Sequence, residues 1–306
     1  MTEPSPSPRP LGTAVWHTGP AWQQRLLDRI QNLAADRAQL LSRGYESSPG
    51  GTDGPLQAWR THLHGLAAVR REAETHAEAV GIRRDHIIAA HAYGSGGIRP
   101  APQRAGDAVR DTMVDGVAAD VWQLQHMAAL ETVRLELSAG DAGFDPEQDA
   151  TAQYARNMDA LWRRAREVAD AVGLTDDERN GMWATDTGEW RRLLDVTVSQ
   201  YDLEDVEERW RVYAWPGIET DAQRAVSVLG SRIARGSVID PVPIPAPQVM
   251  LSESAAALFR DDPSTETDGP DTAADAALPD GTEHDWTTTE PAPTPADDDP
   301  AAGVEP

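Results

Sequence analysis

The chain contains no cysteine. That excludes disulfides, thiolate catalysis and zinc sites built on cysteine. Lysine is absent as well, so all 27 basic side chains are arginine. Guanidinium can grip phosphate with two parallel hydrogen bonds, but the Ala, Gly and Asp abundance around these arginines fits the codon bias of a high-GC genome better. No run approaches the ~18 apolar residues that a membrane span requires. Residues 1–10 alternate Pro with Ser, Thr and Glu and lack the apolar stretch of a signal peptide. The expectation is a cytoplasmic protein without membrane association. Up to residue 236 no alternating strand pattern occurs, so a sheet is not expected.

What is present is acidic and unevenly distributed. Of a net charge of −24, residues 1–105 hold 12 Arg against 9 acids, residues 106–252 hold 14 against 27, and residues 253–306 hold 1 against 15. Only the first third can attract a polyanion, and weakly. The Asp, Thr, Pro and Ala beyond Arg260 have little to bury and predict a disordered tail, free to bind a basic partner or simply to solubilise.

The apolar periodicity is helical throughout. A first helix starts at Thr18, Gly19 and Pro20 and carries Trp22, Leu26, Ile30, Leu33 and Leu40 on one stripe to Gly44. A turn-rich segment follows. The second helix opens at Pro55, with Leu56, Trp59, Leu63, Leu66, Ala73, Ala77 and Val80 at heptad-like spacing. Arg70 fills the one slot where a hydrophobe is wanted, its stem expected on the seam and its charge in water. The two read as an antiparallel hairpin.

Gly81 then supplies the left-handed residue that ends a helix. Asp85 is expected to cap a short helix through Ile87, Ile88 and Ala92, before a Gly- and Pro-rich loop over residues 94–102. A third long helix is predicted from about Gln103 to Ser138, with Val109, Met113, Val117, Val121, Leu124, Ala128 and Leu135 along one side. A fourth starts at Asp145, Pro146 and Glu147 and ends at Gly173. Thr175 to Glu178 has the T-x-x-E form of a capping box, and Asp186 and Asp202 read as caps of further helices. The last helix of the body spans about Ile218 to Ile233. Residues 237–251 read as an extended, proline-interrupted strap, with two turns of helix from Ser252 to Phe259.

One design occurs twice. At an offset of 92, Arg71, Ala73, Ala77, Ala79, Val80, Gly81 and Asp85 match Arg163, Ala165, Ala169, Ala171, Val172, Gly173 and Asp177. A shared helix-stop-helix corner explains the match, whether by duplication or by convergent design.

The first corner resembles a helix-turn-helix. Ala77 precedes Gly81 by four, Ile87 follows it by six, and Val80 and Ile82 suit the buried flanks of the turn. The resemblance implies Arg83, Arg84 and His86 toward DNA bases and Arg70 and Arg71 on phosphates. His76 stands where that family has an apolar residue, and Ile88, Ala89 and Ala92 offer nothing to read bases with. The second corner has Thr175, Asp176 and Asp177 where the first has Arg83, Arg84 and Asp85, which suits structure rather than DNA.

Other chemistry does not assemble. His62 and His64 point to different sides of a helix and, with His86 and His91, lack metal-ligand spacing. The glycines at 94, 96 and 97 have neither a strand before them nor a Lys-Ser or Lys-Thr pair after them, as a phosphate cradle needs. The acids Asp202, Glu204, Asp205, Glu207 and Glu208 sit in the first turns of a helix, where they complement its dipole. The eight Trp between residues 22 and 215 are expected mostly in the core.

The segments AVRREAETHAEAVGIRRDHIIAAHAYG, VAADVWQLQHMA and ERNGMWATDTGEWRRLLDVTVSQYDLEDVEERWRVYA are similar to uncharacterised helical proteins of actinobacterial plasmids and phages. That resemblance implies a mobile-element accessory role and no catalytic residue. The expected protein is all-α: a disordered leader over residues 1–17, an antiparallel hairpin with its short corner helix over 18–100, a second helical lobe over 103–236, and a strap with an acidic tail over 237–306. The expected function is non-enzymatic, an interaction or scaffolding protein that binds a protein partner or itself, with no cofactor, no metal and no inferred small-molecule substrate. The alternative is a nucleic-acid-binding regulator using the Arg83 and Arg84 corner.

Overall fold

A computed structural model describes residues 19–45, 54–101, 108–139, 147–232 and 244–259. The Pro-rich leader, most of the strap and the acidic tail from Arg260 lie outside the described residues. The fold is all-α, and no strand occurs among the described residues. In chain order the helices are α1 (Ala21–Arg43), α2 (Gly54–Ala79), α3 (Arg84–Ser95), α4 (Ala108–Ser138), α5 (Gln148–Val172), α6 (Asp176–Arg179), α7 (Thr187–Thr197), α8 (Leu203–Tyr213), α9 (Gly217–Arg232) and α10 (Pro247–Phe259). Among the described residues no helix is long and apolar enough to cross a membrane.

α1 and α2 form the expected antiparallel hairpin. Trp22 at the start of α1 stacks on His76 near the end of α2, and Tyr45 after α1 meets Trp59 near the start of α2. α3 folds back onto α1, and this crossing needs Gly94. A Cβ there would collide with the Gln31 carbonyl oxygen and the Ala34 side chain. The predicted loop therefore starts later than the glycine count suggests, because Gly94 is a buried helical residue that lets two backbones approach.

α4 is the axis of the molecule. It packs against α1, α5, α7, α8 and α10, and Met127, Ala128, Ala129 and Leu130 are all 0% exposed. A full turn buried on every side is the mark of a core helix rather than an amphipathic one. The one-sided stripe read from its sequence is corrected accordingly: Val109 and Leu135, placed on the core side, are exposed, while Trp122, Gln125 and Arg134 are buried.

Several buried polar groups of this core are paired. Arg134 lies over the Trp210 ring at 4.5 Å and donates twice to Glu131 at 3.0 Å, and Glu131 also accepts from the Trp210 indole at 2.6 Å. Glu207, one of the acids expected to complement the helix dipole, stands 3.6 Å from Arg134. Asp120 on α4 is held by Arg164 of α5 at 2.5 and 2.8 Å. Burial pushes its carboxyl pKa up, against the pull of that guanidinium. Asn157, fully buried, donates to the Tyr213 and Trp215 carbonyls and accepts from Gln153 and the Glu219 amide, closing the α8–α9 turn.

The caps follow the sequence in three places and depart from it in two. Thr175 and Glu178 form the reciprocal capping box, and Asp186 and Asp202 accept from the amides three residues on. α3, however, begins after Arg83 with no side-chain cap, and Asp85 sits in its first turn bonded to Arg83. α10 begins at Pro247, five residues before the expected Ser252. Proline lacks an amide hydrogen, but the first helical position needs none, so Pro247 starts the helix instead of prolonging the strap. Before it, Ile244 is buried and its carbonyl accepts from the Trp162 indole at 3.2 Å.

Candidate functional site

Two surfaces of the N-terminal hairpin and its corner hold the residues singled out from sequence. The corner comes first. Gly81 adopts φ 81°, its amide donates to Glu78, and the Ile82 amide donates to Ala77 at 2.9 Å. These are the two bonds of a Schellman stop. At the second corner Gly173 has φ 60° and the Leu174 amide reaches Ala169. Ala77 and Ala169 are both 0% exposed, and Ile82 and Leu174 both fold over the closed end. An arginine from a distant helix also tops each corner: Arg192 donates to the Ala79 carbonyl and Arg110 to the Gly173 carbonyl. The repeated sequence is thus a repeated physical device, a helix end closed by glycine and capped by guanidinium.

The five residues proposed for nucleic acid do not share one environment. The Arg83 and Arg84 side chains are 73% and 78% exposed. Arg83 forms a fork with Asp85 at 2.6 and 3.0 Å, and Arg84 lies 3.8 Å from Glu78. Arg71 is exposed on α2, and His86 is half-buried. Arg70 departs furthest from its expected snorkelling role. Its side chain is 14% exposed, paired with Glu74 and 3.2 Å from His91 Nδ1. His76, out of place for a helix-turn-helix, fills a core position between two tryptophans.

The second surface is the distal part of the hairpin. No residue of α2 before Ala73 is buried. Leu56, Trp59, Leu63 and Leu66 stay partly exposed, as do Leu33 and Leu40 of α1, and Leu41 is 44% exposed. A heptad-like apolar seam therefore stands half open.

Sequence reasoning missed a third feature. Trp22, His76, Trp122 and His126 form a column of nearly parallel rings, with successive centroids 6.2, 4.8 and 5.5 Å apart. Tyr213 meets His126 edge-on, its hydroxyl 3.0 Å from Nδ1. Burial, helped by the nearby Arg29 charge, lowers the His76 pKa to about 3. Burial and Arg209 lower that of His126 to about 4, so both rings are neutral at pH 7. The spacing of four between Trp122 and His126 is visible in the sequence, but the contribution of three other helices is not.

Compared with protein-family models, with curated proteins and with solved structures, the chain matches none.

Proposed function

We propose that the chain is a non-enzymatic interaction or scaffolding protein whose α1–α2 hairpin pairs with a protein partner or with a second copy of itself. The half-open seam carries this reading. Leu56, Trp59, Leu63 and Leu66 have the spacing of a coiled-coil face, yet no residue of α2 before Ala73 reaches full burial against α1. Apolar surface arranged in a stripe and left partly in water is stabilised by another helix, in this chain or in a partner. With the resemblance to proteins of plasmids and phages, the role becomes that of a cytoplasmic mobile-element accessory factor.

Sedimentation across a concentration series tests self-pairing, with Leu63→Glu beside the wild type. Concentration-dependent association that Leu63→Glu removes, with far-UV circular dichroism unchanged, supports it. If the wild type is monomeric throughout, crosslinking to host proteins must yield a partner that Leu63→Glu loses. Absence of both effects would sink the reading.

Exposure of Arg83 and Arg84 favours a second reading, a nucleic-acid contact at the first corner. Asp85 and Glu78 stand against it, since they must be displaced before phosphate can bind. Duplex affinity that weakens steeply with salt and disappears in Arg83→Ala/Arg84→Ala would carry it.

A further inference from the structure

α2 and α8 face each other across a cleft whose floor is α4. One lobe, of about 530 Å³, is walled by Val69, Arg71 and Thr75 on α2 and by Arg209 and Val212 on α8, over Trp122 and His126. A second lobe of about 340 Å³ shares Val69, Trp122, Val212 and Tyr213 with it and adds His76 and Arg29. Volumes of this order suit small organic ligands.

The cleft is polarised from floor to mouth. Its floor is the His76, Trp122 and His126 part of the ring column, and burial keeps both imidazoles uncharged. His76 Nε2 and His126 Nε2 are enclosed and have no hydrogen-bond partner among the described residues. The charge lies higher up, on side chains that are exposed: Arg29, Arg71 and Arg209 against the single acid Glu72. None of the three arginines pairs with an acid among the described residues, and Arg209 rests on the Tyr201 ring at 4.2 Å. In a chain of net charge −24, a concave surface with unpaired cations above a neutral aromatic floor is a local reversal of sign.

The geometry points to a binding site for an amphipathic organic anion, its flat apolar body between Val69 and Val212 over Trp122 and its carboxylate or sulfonate held by Arg71 and Arg209. Guanidinium suits that headgroup because it donates two parallel bonds to a planar or tetrahedral oxyanion. The apolar walls then order the ligand with its charge outward.

The probe is 8-anilinonaphthalene-1-sulfonate, titrated by fluorescence into the full chain beside N-phenyl-1-naphthylamine, the same ring system without the sulfonate. The sulfonate should bind with one-to-one stoichiometry, and the neutral compound about tenfold more weakly, the scale of one charge-assisted contact. Arg71→Gln/Arg209→Gln should erase that difference. Val212→Trp should abolish binding of both probes, because it fills the cleft from a position that is 65% exposed and outside the core. Val109→Trp, at a 73% exposed site that does not line the cleft, should bind as the wild type does. Binding that survives Val212→Trp, or a sulfonate preference that survives the double arginine change, overturns the site and leaves an adventitious surface dye.

Discussion

Helices α2 and α4 invert what their sequences promise. α2 carries the cleaner heptad-like stripe and buries nothing before Ala73. α4, whose sequence also suggests a stripe along one side, is buried on every side over Met127, Ala128, Ala129 and Leu130 and holds the most enclosed positions of the core. Burial is decided by how many neighbours a helix has, and α4 has five packed around it. A one-sided stripe is what a helix with one neighbour needs, whereas a helix enclosed on all sides needs none.

The comparison breaks most sharply under leucine truncation. Leu124→Ala on α4 removes a side chain that is 0% exposed, so about 2–5 kcal/mol of stability should be lost. Leu63→Ala on α2 should cost less, about 1–2 kcal/mol, because its side chain remains partly exposed. Urea unfolding of both variants checks this, and equal losses would mean that the hairpin seam is closed in solution. Next in size is Gly94→Ala, where the new methyl meets the Gln31 carbonyl on α1. A loss of about 1–3 kcal/mol is expected, seen in the same assay, and a neutral result would show that α3 can shift along α1.

The ring column adds a pH dependence to the comparison. The folded pKa values of His76 and His126, about 3 and about 4, lie below the unfolded value of 6.5. The unfolded chain therefore binds more protons, and stability falls as pH drops below 6.5. The loss from His126 ends near pH 4 and that from His76 near pH 3. Glu178, whose pKa Arg110 holds near 2, adds its own loss only below about 4.5. His76→Phe should halve the slope between pH 6.5 and 4.5 in urea midpoints taken at fixed salt. An unchanged slope would remove the column from the acid response.

Much of this molecule is local and therefore legible. Gly81 and Gly173 end their helices with positive φ, and Thr175, Asp186 and Asp202 start theirs, because each signal acts within a few residues of itself. Arg83 and Arg84 could be placed on a corner for the same reason. Their acid partners are only two and six residues away, yet whether a side chain turns to Asp85 or to solvent depends on rotamers that spacing does not specify. Arg70 shows a longer reach: His91, 21 residues on, draws its guanidinium inward. The ring column and the cleft were not legible at all, since Trp22, His76, Trp122 and Tyr213 come from four helices.

The sequence by itself determined the all-helical architecture, the hairpin, the glycine stops at Gly81 and Gly173, three of the caps and the repeated corner, through periodicity and capping within single turns of chain. Only the tertiary structure decided which helix became the axis, where Gly94 was needed, and which rings met. Those depend on contacts between residues far apart in the chain, and a hydrophobic residue is attracted equally to every apolar neighbour that the fold can bring to it.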